Sequence, residues 1–262
     1  MPDSKKSLTD QAVEKIRSSI IDLTLAPGTR IDEPMLLSEF ALGRTPAREA
    51  LNRLAAEGFV SIVQNRGGMF VRGLDFPEMI DILVAQQVAE NLLGHLLNFS
   101  DPHLADDLTA IQTRYRNVID SGNYLQITAL NEAFHLRMHQ SVGNSFVYSY
   151  ARSTHRHVRR LNVYIYRLES FTPADQREQF AKNAGEHDRI IDLIRRRSRE
   201  PLVTLLNHHA RTAQERLLLV LGAATASPFP IDTPPAEQFG FMSGELPTGH
   251  RTSRQRSAAA PV

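Results

Sequence analysis

The chain has 262 residues, 42% of them hydrophobic, with a formal net charge of +1; it is long enough for two domains with cores of their own, and any nucleic-acid affinity has to come from a local basic patch rather than a global field. It has no cysteine, which excludes disulfides and thiolate metal sites. No apolar run reaches the roughly 18 residues of a membrane helix and the opening MPDSKKSLTDQ lacks a signal peptide's apolar core, so the expectation is a cytoplasmic protein with no membrane partner.

Residues 1–7 are polar. Over 8–23 the spacing of Ala12, Val13, Ile16, Ile20 and Leu23 predicts an amphipathic helix, with Thr9 as its expected cap. Pro27-Gly28 marks a turn. Pro34 opens a second short helix over 34–41, with Leu36, Leu37 and Phe40 expected inward. Leu42-Gly43 turns into a third helix that begins at Arg44 and stops at Gly58. Its apolar residues Ala47, Leu51, Leu54 and Ala55 share one face, while Arg44, Arg48 and Asn52 fall at i, i+4 and i+8 on another. Val60-Ile62 and Phe70-Val71 form two β-prone segments around the turn NRGG, with Arg66 at its tip. A single arginine on a helix surface is most often only solvated. Three polar donors aligned on one helix, followed by an arginine-bearing ribbon, instead suit a major groove and its flanking phosphates.

With Pro27-Gly28, Leu36, the run from Gly43 to Leu51 (GRTPAREAL), Arg53-Leu54, Glu57-Gly58 and Gly67 to Val71, the chain resembles the GntR family of bacterial transcription regulators. The resemblance implies a winged helix-turn-helix domain over 8–71, a homodimer, and a palindromic double-stranded DNA operator. It implies that Arg44 and Arg48 read bases, with Thr45, Asn52, Arg66 and Gly67 adding base or phosphate contacts. Pro34 stands where the family often has a DNA-contacting arginine.

After a linker at 72–75 the pattern becomes helical, with six helices expected at about 76–98, 102–121, 123–142, 144–168, 173–197 and 199–222. From 223 to 262 the composition turns to Ala, Ser, Pro, Gly and Thr, a tail expected to be disordered. The fold class is therefore mainly α, a winged helix-turn-helix followed by an antiparallel six-helix bundle. Six helices after such a domain resemble the FCD effector domain of the FadR-type subfamily, and the count is closer to its VanR-like branch.

Asn131 and His135 share a helix face at i, i+4, and His187 and His209 lie on two later helices. Three helices can bring one imidazole each to a bundle centre, where neutral nitrogens bind a divalent ion. The family's D-x-x-x-H pair and its two later histidines are matched here by Asn131, His135, His187 and His209, which implies a divalent transition metal, zinc or nickel first. Asn131 departs from the usual aspartate and offers a neutral oxygen that cannot offset the ion's charge. Arg152 and Arg156 are expected to meet a small carboxylate effector, whereas Gln86 stands where relatives have an arginine. Arg195 to Arg199 reads as structural, at a helix C-terminus. The rival reading is a metal-dependent hydrolase with Glu186 or Glu132 as base and the N-terminal domain as a docking module.

Overall fold

Ser7 sets the start of the first helix in this computed structural model, which describes residues 7–63, 68–168 and 173–220. Arg66 and Gly67 of the expected ribbon tip, and the expected tail at 223–262, lie outside the described residues. In α1 (Leu8–Ile21) the Ser7 hydroxyl accepts from the Asp10 N–H at 3.0 Å, while the Asp10 carboxylate accepts from the Ser7 N–H, a reciprocal capping box. Thr9, the expected cap, lies instead within the first turn, where its hydroxyl donates to Glu49 at 2.9 Å.

Asp32 caps α2 (Glu33–Phe40) on the Met35 N–H at 3.1 Å, with Pro34 in the first turn. Leu36 and Phe40 point inward at i, i+4, but Leu37 is 65% exposed, because it lies about 100° round the helix from Leu36. α3 (Arg44–Ala56) ends at Gly58, whose φ of +81° only glycine adopts without a Cβ penalty. Strands β1 (Arg30–Ile31), β2 (Val60–Val63) and β3 (Gly68–Val71) form an antiparallel sheet of order β1-β3-β2, with Met69 between Ile31 and Ile62. Val13, Ile16, Ile20, Leu36, Ala50, Leu54 and Phe59 close one core beneath these helices and the sheet.

Among the described residues the second half holds six helices: α4 (Phe76–Leu96), α5 (Leu104–Ile119), α6 (Tyr124–Ser141), α7 (Ser145–Leu168), α8 (Pro173–Arg195) and α9 (Arg199–Val220). Asp75 caps α4 on the Glu78 N–H and Asn123 caps α6 on the Gln126 N–H. α4 and α9 pack closely at Gly94, where an added Cβ would lie 2.9 Å from Val203 Cγ2 and 3.1 Å from Val203 Cα. Arg199 donates to the carbonyls of Gly94, His95 and Leu97, so one guanidinium satisfies the orphan acceptors at the end of α4. No helix among the described residues is long and apolar enough to cross a membrane.

The N-terminal head and the bundle meet along α7. The His157 ring stacks on Phe59 at 4.2 Å and 12°, and its Nε2–H reaches the Glu57 carbonyl at 2.9 Å. Arg160 donates to the Arg72 carbonyl, and Glu57 also receives both arms of buried Arg17 at 2.8 Å.

Candidate functional site

Ala47, Ala50, Leu51 and Leu54 are buried, so α3 turns Arg44, Thr45, Arg48 and Asn52 outward. Arg30, Arg44 and Arg48 line one surface groove with Gly68 and Met69 of β3, so a helix and the base of the ribbon present cations together. Arg53, also on α3, is engaged elsewhere, paired with Asp10 at 2.7 Å.

In the bundle, α6, α8 and α9 bring His135, His187 and His209 together, all three buried, with one ring nitrogen of each within 4.8 Å of the others. The neighbours fix which nitrogen that is. The Gln112 amide donates to the Ala184 carbonyl at 2.7 Å and to Asp188 at 3.0 Å, so its oxygen is left to accept from His187 Nδ1 at 3.1 Å. His209 Nδ1 donates to Glu186 at 2.6 Å, and His135 Nδ1 lies 3.0 Å from Glu90. The hydrogen-bonded Nδ1–H groups of His187 and His209 leave their Nε2 atoms as lone pairs, and the Nε2 atoms of His135 and His209 face each other at 3.2 Å. Imidazoles held this way by outer carboxylates and amides have the tautomer that metal ligation requires.

The electrostatics agree. Burial drives His187 well below the ordinary 6.5 and keeps it neutral. Burial alone would raise Glu186, but the hydrogen bond from His209 holds it below 4.5 and ionised. Asn131 lines the adjoining cavity, and its oxygen accepts from Asn183 at 3.1 Å; the same Asn183 amide lies 3.4 Å from His187 Nε2. The neighbouring His208 has a half-exposed side chain, so His209 is the inward member of that pair.

The cavity of about 50 Å³ beside the histidines is lined by Gln86, Asn131, Lys182, Asn183, His209 and Arg216, among others. Arg152 and Arg156, expected to meet an effector, are not among the residues that line this cavity. Arg152 is exposed, over the Tyr148 ring, and Arg156 turns to Glu57 and Glu14 at 3.7 and 3.9 Å. The inward face of α7 instead carries Thr154, His155, Val158 and Leu161. The cavity's cations are Lys182 and Arg216, the latter 4.3 Å from the centre of the Tyr166 ring. Sequence reasoning missed both, as it missed Glu90, Gln112 and Asn183. The two carboxylates proposed as a hydrolytic base are engaged, Glu186 with His209 and Glu132 with Arg159 at 3.1 Å.

Residues 8–71 match the family of bacterial regulatory proteins called gntR, and residues 79–212, half of the chain, match the FCD domain. The chain belongs to the GntR family. Within it, this FCD-bearing chain is 29% identical over 165 residues to an HTH-type transcriptional regulator in an unstable DNA locus of Streptomyces ambofaciens, 61% of this chain and 66% of that one. It is 45% identical over 56 residues to the Nta operon transcriptional regulator of Aminobacter aminovorans, 21% of this chain and 26% of that one. The match thus spans less than two thirds of either relative. The gluconate operon transcriptional repressor of Bacillus subtilis is 22% identical over 82% of this chain and 86% of its own. Among solved structures, a GntR transcriptional regulator from Rhodococcus sp. RHA1 shares the fold at TM-score 0.67 and 19% identity, over 83% of this chain and 99% of that one. E. coli McbR/YncC does so at 0.66 and 18%, with the same coverage. The gntR family is one of bacterial regulatory proteins, and the relatives from Streptomyces, Aminobacter and Bacillus are named as transcriptional regulators or repressors.

Proposed function

We propose that this GntR-family regulator is a cytoplasmic homodimeric repressor that grips a palindromic operator through two copies of α3 and lets go when a small carboxylate enters the bundle. Arg44 and Arg48 would read bases, Thr45 and Asn52 would add base or phosphate contacts, and Arg66 and Gly67 would complete the ribbon's contact. His135, His187 and His209 would hold a divalent ion, zinc or nickel, with Asn131 beside it. When bound, that ion supplies a positive anchor for the effector's carboxylate; Lys182 and Arg216 complement the same charge from the cavity wall. The observation that carries the reading is the convergence of three buried Nε2 lone pairs, two of them fixed by acceptors on their Nδ1 atoms. The repressor direction draws on relatives named for repression of a gluconate operon. A cavity of about 50 Å³ fits a carboxylate of few atoms as it stands, since pockets for larger ligands run to about 300–1,000 Å³.

The test is a fluorescence-anisotropy titration of DNA from upstream of the protein's own gene. Wild type binds, and Arg48→Ala loses roughly 1–3 kcal/mol, the worth of a bidentate base contact. Tag-free protein carries close to one transition ion per chain by elemental analysis, and a small carboxylate raises its melting temperature while weakening DNA binding. No DNA binding, or an Arg48→Ala variant equal to wild type, overturns the operator reading. Absence of metal overturns the ion alone.

A further inference from the structure

On the other side of the His135 ring lies a second set of buried donors. Glu90 on α4, His135 and His139 on α6, and His155 on α7 are each no more than 1% exposed. Glu90 Oε1 is 3.0 Å from His135 Nδ1, 3.0 Å from His155 Nε2 and 3.6 Å from His139 Nε2. The simplest account is three imidazoles donating to one carboxylate, but the directions are wrong for it. Among the described residues, neither Glu90 oxygen, nor His135 Nδ1, nor His155 Nε2, nor either nitrogen of His139 has a hydrogen-bond partner of acceptable alignment. A native core rarely leaves even one buried polar atom unpaired, and each such atom calls for an explanation.

Coordination explains the spacing. Bonds of about 2.0–2.1 Å to a tetrahedral first-row ion put neighbouring ligand atoms about 3.3 Å apart, between the 3.0 and 3.6 Å found here. Ligand atoms of Glu90, His135 and His155 all lie within 4.8 Å of one another.

We infer that Glu90, His155 and the Nδ1 side of His135, with His139 against Glu90, form a second seat for a divalent first-row transition ion. This seat differs from the three-histidine seat in its charge and its access. It includes a carboxylate, where the other has only neutral nitrogens and Asn131, and none of its residues lines the cavity, so its ion is out of an effector's direct reach. The two seats share His135 through opposite ring nitrogens. A neutral imidazole has one lone pair, so His135 serves one ion at a time. With Nε2 as ligand, its proton sits on Nδ1 toward Glu90; with Nδ1 as ligand, the proton sits on Nε2 toward His209 Nε2, 3.2 Å away. The seats therefore compete, and each chain binds one ion, in one seat or the other.

The test uses tag-free full-length protein, Co²⁺ as the probe, and equilibrium dialysis with visible absorption spectra. His209→Gln and, independently, His187→Gln remove the first seat; circular dichroism shows which variants are folded, and His209, at the cavity wall, is the milder change. The folded variants still bind close to one Co²⁺ per chain, with a spectrum unlike that of His155→Gln, which keeps only the first seat. Adding His155→Gln or Glu90→Gln to His209→Gln weakens binding by more than the roughly 10–100-fold that loss of an outer-sphere partner costs. A folded His209→Gln or His187→Gln protein that binds no Co²⁺ overturns the second seat, as does binding in His209→Gln that survives His155→Gln. If His155→Gln alone binds no Co²⁺ while His209→Gln does, the second seat stands and the three-histidine seat falls.

Discussion

Asp101 shows how one carboxylate can govern behaviour in acid. Burial would raise its pKa, but Arg137 at 2.7 Å and the His103 N–H at 3.0 Å hold it below the ordinary 3.8. A depressed folded value means that its stabilisation is complete above about pH 3.8 and is lost as pH falls through the lower folded value. Arg137→Met should lower the melting temperature near neutral pH and flatten its decline below about pH 4, because Asp101 then titrates nearly alike folded and unfolded; thermal melts across pH 3–6 check this. At this scale the sequence shows positions better than partners. Arg44 and Arg48 are legible as outward neighbours because their four-residue spacing alternates with buried Ala47 and Leu51. The meeting of His135, His187 and His209 is legible through their match to a family pattern. Glu90, Gln112 and Asn183 are not, since a single polar residue on a helix carries no periodic signal of what it will face. His135 and His139, at i, i+4 on α6, were the one available hint of a second cluster. Where Arg152 and Arg156 lie is not legible for the same reason: a basic strip marks a face, and only packing decides that Arg156 turns to Glu57 and Glu14.

Helices are the units most fully written in the chain, because their caps are local. Ser7, Asp32, Asp75 and Asn123 each accept an N–H from three residues onward, and the Ser7 box outcompetes Thr9 by closing two bonds at once. The pairing of helices is less legible. Gly94 lies in the last turn of α4, and glycine within a helix costs up to about 1 kcal/mol against alanine. Packed against Val203 it does the opposite and permits close approach of α9. Gly94→Ala should therefore destabilise the protein despite its better helix propensity, by roughly 1–3 kcal/mol for overpacking against a backbone atom, measurable by urea denaturation. Val203→Ala in the same chain should recover part of that loss, since Val203 Cγ2 is the nearest atom to the added methyl.

At the scale of the whole molecule, the two-part architecture follows from a change of pattern near residue 72, but the way the parts touch does not. His157 looks like one more member of a basic run; in the fold it lies flat on Phe59 and bonds the Glu57 carbonyl just beyond the end of α3. His157→Ala removes a stacked pair worth about 0.5–1.5 kcal/mol and a hydrogen bond of about 1 kcal/mol. The expected result is faster amide exchange around residues 57–59 and a DNA affinity that responds less to whatever binds in the bundle, checked by hydrogen exchange and by anisotropy with and without ligand. α7 runs about 36 Å at 1.5 Å per residue. Asn162 and Tyr166 edge the cavity, His155 reaches the buried carboxylate, and Arg156, His157 and Arg160 clasp the head. A rod fastened on both flanks behaves as a camshaft: a few degrees of roll, taken up by His155 or Tyr166 on one flank, must re-aim Phe59 and the end of α3 on the other.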